Sequence, residues 1–161
     1  MIRKLYNTFF SSDKELASYI KGITGITPSN LKIYKRVFQH RSKFTEPKEN
    51  NERLELLGDA ILDAIVCAFL FKKYPYKEEG FITELRSKIV NRKSLNEVGS
   101  KLGLLDYLKF NRKSMNDVSR DLAGNTFEAL VGAVYLDVGF DKTKNFIQKR
   151  VLQNLVDVDT L

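Results

Sequence analysis

Apolar residues along this chain recur at spacings of three and four, and no stretch alternates apolar with polar over a useful length. That period keeps apolar side chains on one face of a helix, so it predicts helices and argues against strands. The apolar runs are separated by polar punctuation that contains Pro28, Pro47 and Pro75. They predict helices over residues 14–20, 30–38, 51–74, 79–90, 93–102, 118–137 and 142–156. Asp141 is expected to cap the last of these. Seven helical segments with no convincing strand give an all-α fold. No internal repeat, low-complexity tract or linker divides the chain, so residues 1–161 read as one domain.

One predicted helix is unusual. In "NNERLELLGDAILDAIV", residues 50–66, Leu54, Leu57, Ile61 and Ile65 are apolar at helical spacing, yet Glu52, Glu55, Asp59 and Asp63 run through the same segment. At 100° per residue the four carboxylates fall within an arc of about 80°, with Leu54, Leu57 and Ile61 on the opposite side. Like charges three and four residues apart repel, more so when partly buried. Such a stripe needs compensation, which basic side chains or divalent cations could supply. Carboxylates are hard oxygen ligands suited to Mg²⁺ or Mn²⁺.

A second segment can complete such a site. In "AGNTFEALVGAVYLD", residues 123–137, Asn125 and Glu128 are three apart beside an apolar face of Phe127, Leu130 and Val134, and Asp121 lies on the same side. Gly58 and Ala60 in the first segment, and Gly124, Ala129 and Gly132 in the second, are small enough for two helices to cross closely. Such a crossing would bring Glu55 and Asp59 against Asn125 and Glu128. Glycine inside a helix costs about 1 kcal/mol against alanine, so a packing reason is expected.

Composition narrows the reading. With 161 residues and 43% hydrophobic content, the chain is long and apolar enough for a real core. The net charge of +7 favours a polyanionic partner such as nucleic acid. The excess is uneven. From Thr83 to Lys113, eight basic residues (Arg86, Lys88, Arg92, Lys93, Lys101, Lys109, Arg112, Lys113) outnumber three acidic ones. These are either solvated helix faces or a surface that contacts phosphates. The lone cysteine, Cys67, excludes an internal disulfide and, in its apolar run, reads as a small buried hydrophobe. No signal peptide is evident, and the apolar run of residues 64–71 is too short to span a bilayer, so a cytoplasmic location without membrane contact is expected.

"NERLELLGDAIL", residues 51–62, resembles the signature of the ribonuclease III catalytic domain. "HRS" at 40–42, "EEGFITELRSKIVNRKSL" at 78–95 and "FEALVGAVYLD" at 127–137 are similar to that family in the same order. The resemblance implies an all-α, ribonuclease III endonuclease-type helical domain over 1–161, with no double-stranded-RNA-binding domain among these residues. It implies a homodimer that cleaves double-stranded RNA with Mg²⁺, for which Mn²⁺ can substitute. The expected products carry 5′ phosphates, 3′ hydroxyls and short 3′ overhangs, in the processing of rRNA and mRNA.

Position by position, Glu55 matches a metal-binding glutamate and Asp59 the catalytic aspartate one turn later. Glu128 matches the essential glutamate, also a metal ligand. Glu52 and Glu79 match acids placed around RNA and the dimer cleft, while Asp63 matches none of the catalytic set. Arg86 and Lys88, in the basic stretch, are expected to contact substrate phosphates. Asn125 departs from the family, which usually has aspartate there. Its amide can offer an oxygen to a metal but no charge. Two metal ions held by carboxylates can hydrolyse a phosphodiester without a nucleophilic side chain, so His40 reads as structural. A non-catalytic RNA-binding relative with the same fold is the alternative.

Overall fold

A computed structural model describes residues 2–111 and 121–153, with side chains from residue 12 onward. Its elements are α1 (Ile2–Thr24), α2 (Leu31–Val37), α3 (Glu52–Lys73), α4 (Glu79–Ile89), α5 (Arg92–Lys101), a 3₁₀ turn (Leu104–Asp106), α6 (Leu122–Val138), α7 (Phe140–Ile147) and a π-helical turn (Gln148–Leu152). Among the described residues there is no strand, only an isolated bridge between Gln39 and Lys109. The all-α expectation therefore holds.

α6 lies at the centre because almost no side of it is polar. Leu122–Gly124, Thr126, Phe127 and the run Ala129–Val134 are all buried, and a helix apolar all round belongs inside. Its one buried hydroxyl, on Thr126, donates to the Leu122 carbonyl at 2.6 Å. α3 and α5 pack directly on α6, and α2 and α7 close over it. Tyr34 and Val37 of α2, Leu62, Ile65 and Val66 of α3, and Ile147 of α7 complete the core.

Glycines set how closely these helices approach. A Cβ on Gly58 would lie 1.7 Å from the Glu128 carbonyl oxygen, and one on Gly132 would lie 2.3 Å from that of Leu54. The backbones of α3 and α6 therefore touch, and only glycine fits at either position. Gly99 meets the Ala123 carbonyl in the same way where α5 crosses α6. The expected close crossing is real, with two corrections. Gly124 faces Asn96 of α5 instead of α3, and Ala60 is exposed.

Other differences have local causes. α1 runs from Ile2 to Thr24, well beyond the expected 14–20, and ends where Gly25 takes a φ of +75°. Thr24 secures that end, its hydroxyl donating to Ile20 O at 2.7 Å and accepting from Ile26 N at 3.0 Å. α7 starts at Phe140 behind Gly139, whose φ is +80°, so Asp141 lies in the first turn and does not cap it. The expected helical residues 118–120 and 154–156, with Arg112 and Lys113, lie outside the described residues. Cys67 is exposed, against the expectation of burial. No helix among the described residues is long and apolar enough to cross a membrane.

Candidate metal centre

α3 enters the fold through two buried asparagines. The Asn51 side chain donates to Val37 O at 3.1 Å, and its backbone N–H donates to Gln39 O at 2.9 Å. Asn50 accepts from Glu52 N at 3.1 Å and donates to Phe44 O at 3.2 Å. Together they fix the first turn of α3 against the end of α2. Sequence reading missed this role, although two adjacent asparagines just before a helix are a capping signal. His40 supports the same corner. Its Nδ1 accepts from Ser42 N at 3.2 Å and lies 2.8 Å from Ser42 Oγ. Burial, with Arg41 nearby, lowers its pKa. A neutral ring that orders a loop agrees with the structural reading.

The carboxylate stripe divides into two kinds of acid. At its ends, Glu52 pairs with Arg41 at 2.9 Å, and Asp63 pairs with Arg86 of α4. Between them, Glu55 is half-buried and Asp59 exposed, both near enough to act on the half-buried Glu128 of α6. Among the described residues these three carboxylates have no ion pair and no side-chain hydrogen bond. Burial raises the Glu55 pKa, with Glu52 and Asp59 adding to it and Arg41 opposing. Glu128 is pushed up to about 7, first by burial and then by Asp59 and Glu55, with Arg92 opposing. The three acids therefore feel one another, as the predicted crossing required. Among the described residues, no three His, Cys, Asp or Glu side chains stand close enough together to form a metal-binding group by themselves.

Asn125 is half-buried on the face of α6 that carries Glu128, one turn earlier. Its backbone N–H donates to Asp121 O at 2.9 Å. The remaining expected residues lie elsewhere. Glu79 is exposed in the first turn of α4, accepting from Thr83 Oγ1 at 2.8 Å. Arg86 is occupied by Asp63, and Lys88 by Glu84 at 2.6 Å. At the N-terminal end of α6, Asp121 receives Arg92 at 3.0 Å on one oxygen and Asn96 at 3.2 Å on the other. No sequence signal linked these residues, which are 25 to 29 positions apart.

Hard carboxylate oxygens without an ion pair, those of Glu55 and Glu128 carrying raised pKa values, suit a divalent cation. Glu55, Asp59 and Glu128 could hold it, and Asn125 is placed to add a neutral oxygen.

Comparison with known proteins agrees with this architecture. The family model for ribonuclease-III-like domains matches residues 30–155. The chain is 41% identical to Ribonuclease 3 of Azobacteroides pseudotrichonymphae over 168 residues, covering 100% of the chain and 64% of that protein. It is 40% identical to Ribonuclease 3 of Bacteroides thetaiotaomicron over 156 residues, covering 94% of the chain and 50% of that protein. The chain thus spans between about half and two thirds of the length of these relatives. Among solved structures, the nuclease domain of ribonuclease III from Campylobacter jejuni superposes with a TM-score of 0.77 at 28% identity, covering 86% of this chain and 97% of that one. The helical fold built on the α3–α6 crossing, the match over most of the chain and the identity to these relatives place this protein in the ribonuclease-III-like family.

Proposed function

We propose that residues 1–161 form the catalytic domain of a Mg²⁺-dependent endoribonuclease that cleaves double-stranded RNA, with Mn²⁺ able to replace Mg²⁺. The observation that carries this reading is that Glu55, Asp59 and Glu128 make no ion pair near the α3–α6 crossing, with the Glu55 and Glu128 carboxyls pushed up by burial and by neighbouring acids. An isolated group of this kind costs folding energy at neutral pH, and a cation would turn that cost into a gain. When bound, the metal supplies an activated water and polarises the phosphate. The chain's own residues hold the ligand oxygens in place. Gly58 and Gly132 fix the separation of the two helices, and Asn50 and Asn51 fix the start of α3. In the overall reaction the oxygen of water bonds to phosphorus and the P–O3′ bond breaks. The 3′ oxygen takes a proton, leaving a 5′ phosphate and a 3′ hydroxyl. Short 3′ overhangs, and a role in rRNA and mRNA processing in the cytoplasm, belong to the same reading.

The chain acts as a symmetric homodimer in this reading. Leu56 is 74% exposed and Phe71 70% exposed, and Ala60, Ala64 and Cys67 lie exposed between them along α3. An apolar stripe of this length on a helix that is also buried on its opposite side calls for a partner surface. Two-fold contact with the same stripe of a second copy supplies one. The Campylobacter jejuni nuclease domain has a structurally flexible region involved in its own dimer formation. Glu52 and Glu79 border the RNA and the cleft between protomers. Arg86 and Lys88 meet phosphates through donors that their intramolecular pairs leave free.

Cleavage of a long RNA duplex in Mg²⁺, compared with EDTA, tests the reading. Fragments in Mg²⁺ alone support it. Duplex binding without cleavage in either buffer would identify a non-catalytic relative instead.

A further inference from the structure

The carboxylate cluster leaves one side of the reaction unattended: nothing in it binds the phosphate by charge. The end of α6 carries a group that can. Asp121 precedes the first turn of α6, and Asn125 and Glu128 follow it at four and seven residues on the same face. At 1.5 Å per residue Glu128 is about 10 Å further along the helix. The Arg92 guanidinium sits above this face, donating through one nitrogen to Asp121 Oδ2 at 3.0 Å. Asp121 is itself held. Asn96 donates to its other oxygen at 3.2 Å and is anchored in turn by accepting from the Gly124 backbone N–H at 2.8 Å. The network therefore aims a side chain that is 86% exposed. A guanidinium has five N–H donors, and the pair with Asp121 uses one nitrogen, so most remain available to solvent or to an anion.

Two further observations give this position a direction. Arg92 is seated, through Asp121, on the end of the helix whose same face carries Asn125 and Glu128. It also borders a shallow surface depression of about 680 Å³ on α5, in which Arg92, Lys93 and Lys101 outnumber Glu97 and Asp121, a lining with one net positive charge.

We propose that Arg92, aimed by the Asp121–Asn96 pair, contacts a non-bridging oxygen of the RNA phosphate at or next to the cleavage position. This rests on the endoribonuclease reading above. In that role Arg92 stabilises charge that builds on the phosphate as the water oxygen adds, and Asp121 and Asn96 are positioning residues.

The test uses the full chain with a long RNA duplex and the variants Arg92→Ala, Arg92→Lys and Asp121→Asn. At saturating Mg²⁺ and RNA, Arg92→Ala is expected to lower kcat about 100- to 1,000-fold, as loss of a charge-stabilising donor does. Arg92→Lys should recover part of that loss, and Asp121→Asn should fall between wild type and Arg92→Ala. Thermal unfolding of all three should stay close to wild type. A second measurement needs no cleavage. In EDTA, the slope of log K for duplex binding against log salt should become shallower in Arg92→Ala, by about 0.7–0.9 for each phosphate no longer neutralised. An unchanged kcat in Arg92→Ala overturns the proposal, even if the salt slope falls, because Arg92 would then meet RNA away from the cleavage position. An unchanged salt slope overturns it as well. If wild type fails to cleave in Mg²⁺, the endoribonuclease reading falls and this role falls with it, an outcome distinct from active wild type with an equally active Arg92→Ala.

Discussion

Glu128→Gln separates the energetics of the carboxylate cluster from its activity. The Glu128 pKa is raised from 4.5 to about 7, chiefly by burial and then by Asp59 and Glu55. Between these two values the folded protein keeps a proton that the unfolded chain releases. The stabilising contribution of the protonated carboxyl is therefore full below about pH 4.5 and is lost as pH rises through about 7. Each tenfold change in proton affinity is worth about 1.4 kcal/mol, which sets an upper bound of about 3 kcal/mol. Glu128 is only partly withdrawn from water, and solvent screening brings the expected cost at pH 8 to about 1–2 kcal/mol. Glutamine imitates the protonated acid at every pH. In EDTA at pH 8, Glu128→Gln should unfold about 3–6 °C above wild type at equal protein concentration. At pH 4.5 the two should coincide. Adding Mg²⁺ at pH 8 should raise the wild-type midpoint, because the ion binds only the folded state, and should raise the variant's much less. The same variant should lose nearly all cleavage of duplex RNA. Differential scanning calorimetry across pH 4.5–8, with and without Mg²⁺, reads the stability outcomes, and a duplex-cleavage assay reads the activity. A variant no more stable than wild type in EDTA at pH 8 would refute the account of an uncompensated cluster. A variant that cleaves like wild type would refute the site.

Three further outcomes are expected. Asn125→Asp restores a charge beside Glu128 and should lower the Mg²⁺ concentration needed for half-maximal cleavage, since ligand charge tunes affinity; a higher requirement would show that Asn125 does not stand in for a carboxylate ligand. Gly58→Ala places a methyl 1.7 Å from the Glu128 carbonyl oxygen and should destabilise the fold by about 3 kcal/mol or more, as read by urea unfolding, with near-wild-type stability counting against backbone contact at the crossing. Light scattering at tens of micromolar should report a dimer for wild type and a folded monomer for Phe71→Asp, and a wild-type monomer would remove the role given to the exposed stripe of α3.

Much of the fold was legible because helices announce themselves locally. The limits of α2 to α5 follow from apolar period and polar punctuation, and each lies within a residue or so of its expectation. The crossing of α3 and α6 was readable because Gly58 and Gly132 have little other reason to interrupt two helices. What failed depended on partners distant in sequence. Cys67 looked buried because an apolar neighbourhood does not say which side faces the core. Gly124 was given to the wrong crossing because α6 meets two helices, α5 near its start at Ala123 and Gly124 and α3 further along at Glu128 and Gly132. The carboxylate stripe looked uniform, yet Arg41 and Arg86 neutralise its ends and leave its middle bare. Those pairings join residues 11 and 23 positions apart, and nothing local encodes them. The Arg92–Asp121–Asn96 network escaped notice for the same reason.

On the endoribonuclease reading, the contact between Gly58 and Glu128 also bears on when the protein becomes dangerous to RNA. The carboxylates of α3 emerge from the ribosome about seventy residues before Glu128. Until α6 has been made and seated, Glu55 and Asp59 are two solvated acids on a helix with nothing opposite them. Chains fold during synthesis in the order in which their parts appear, and contacts between distant segments form late. On that reading the site stays unassembled until α6 has been made and seated against α3. It is completed only by the helix at the centre of the core, so a chain that misfolds or stops before Glu128 carries no working site.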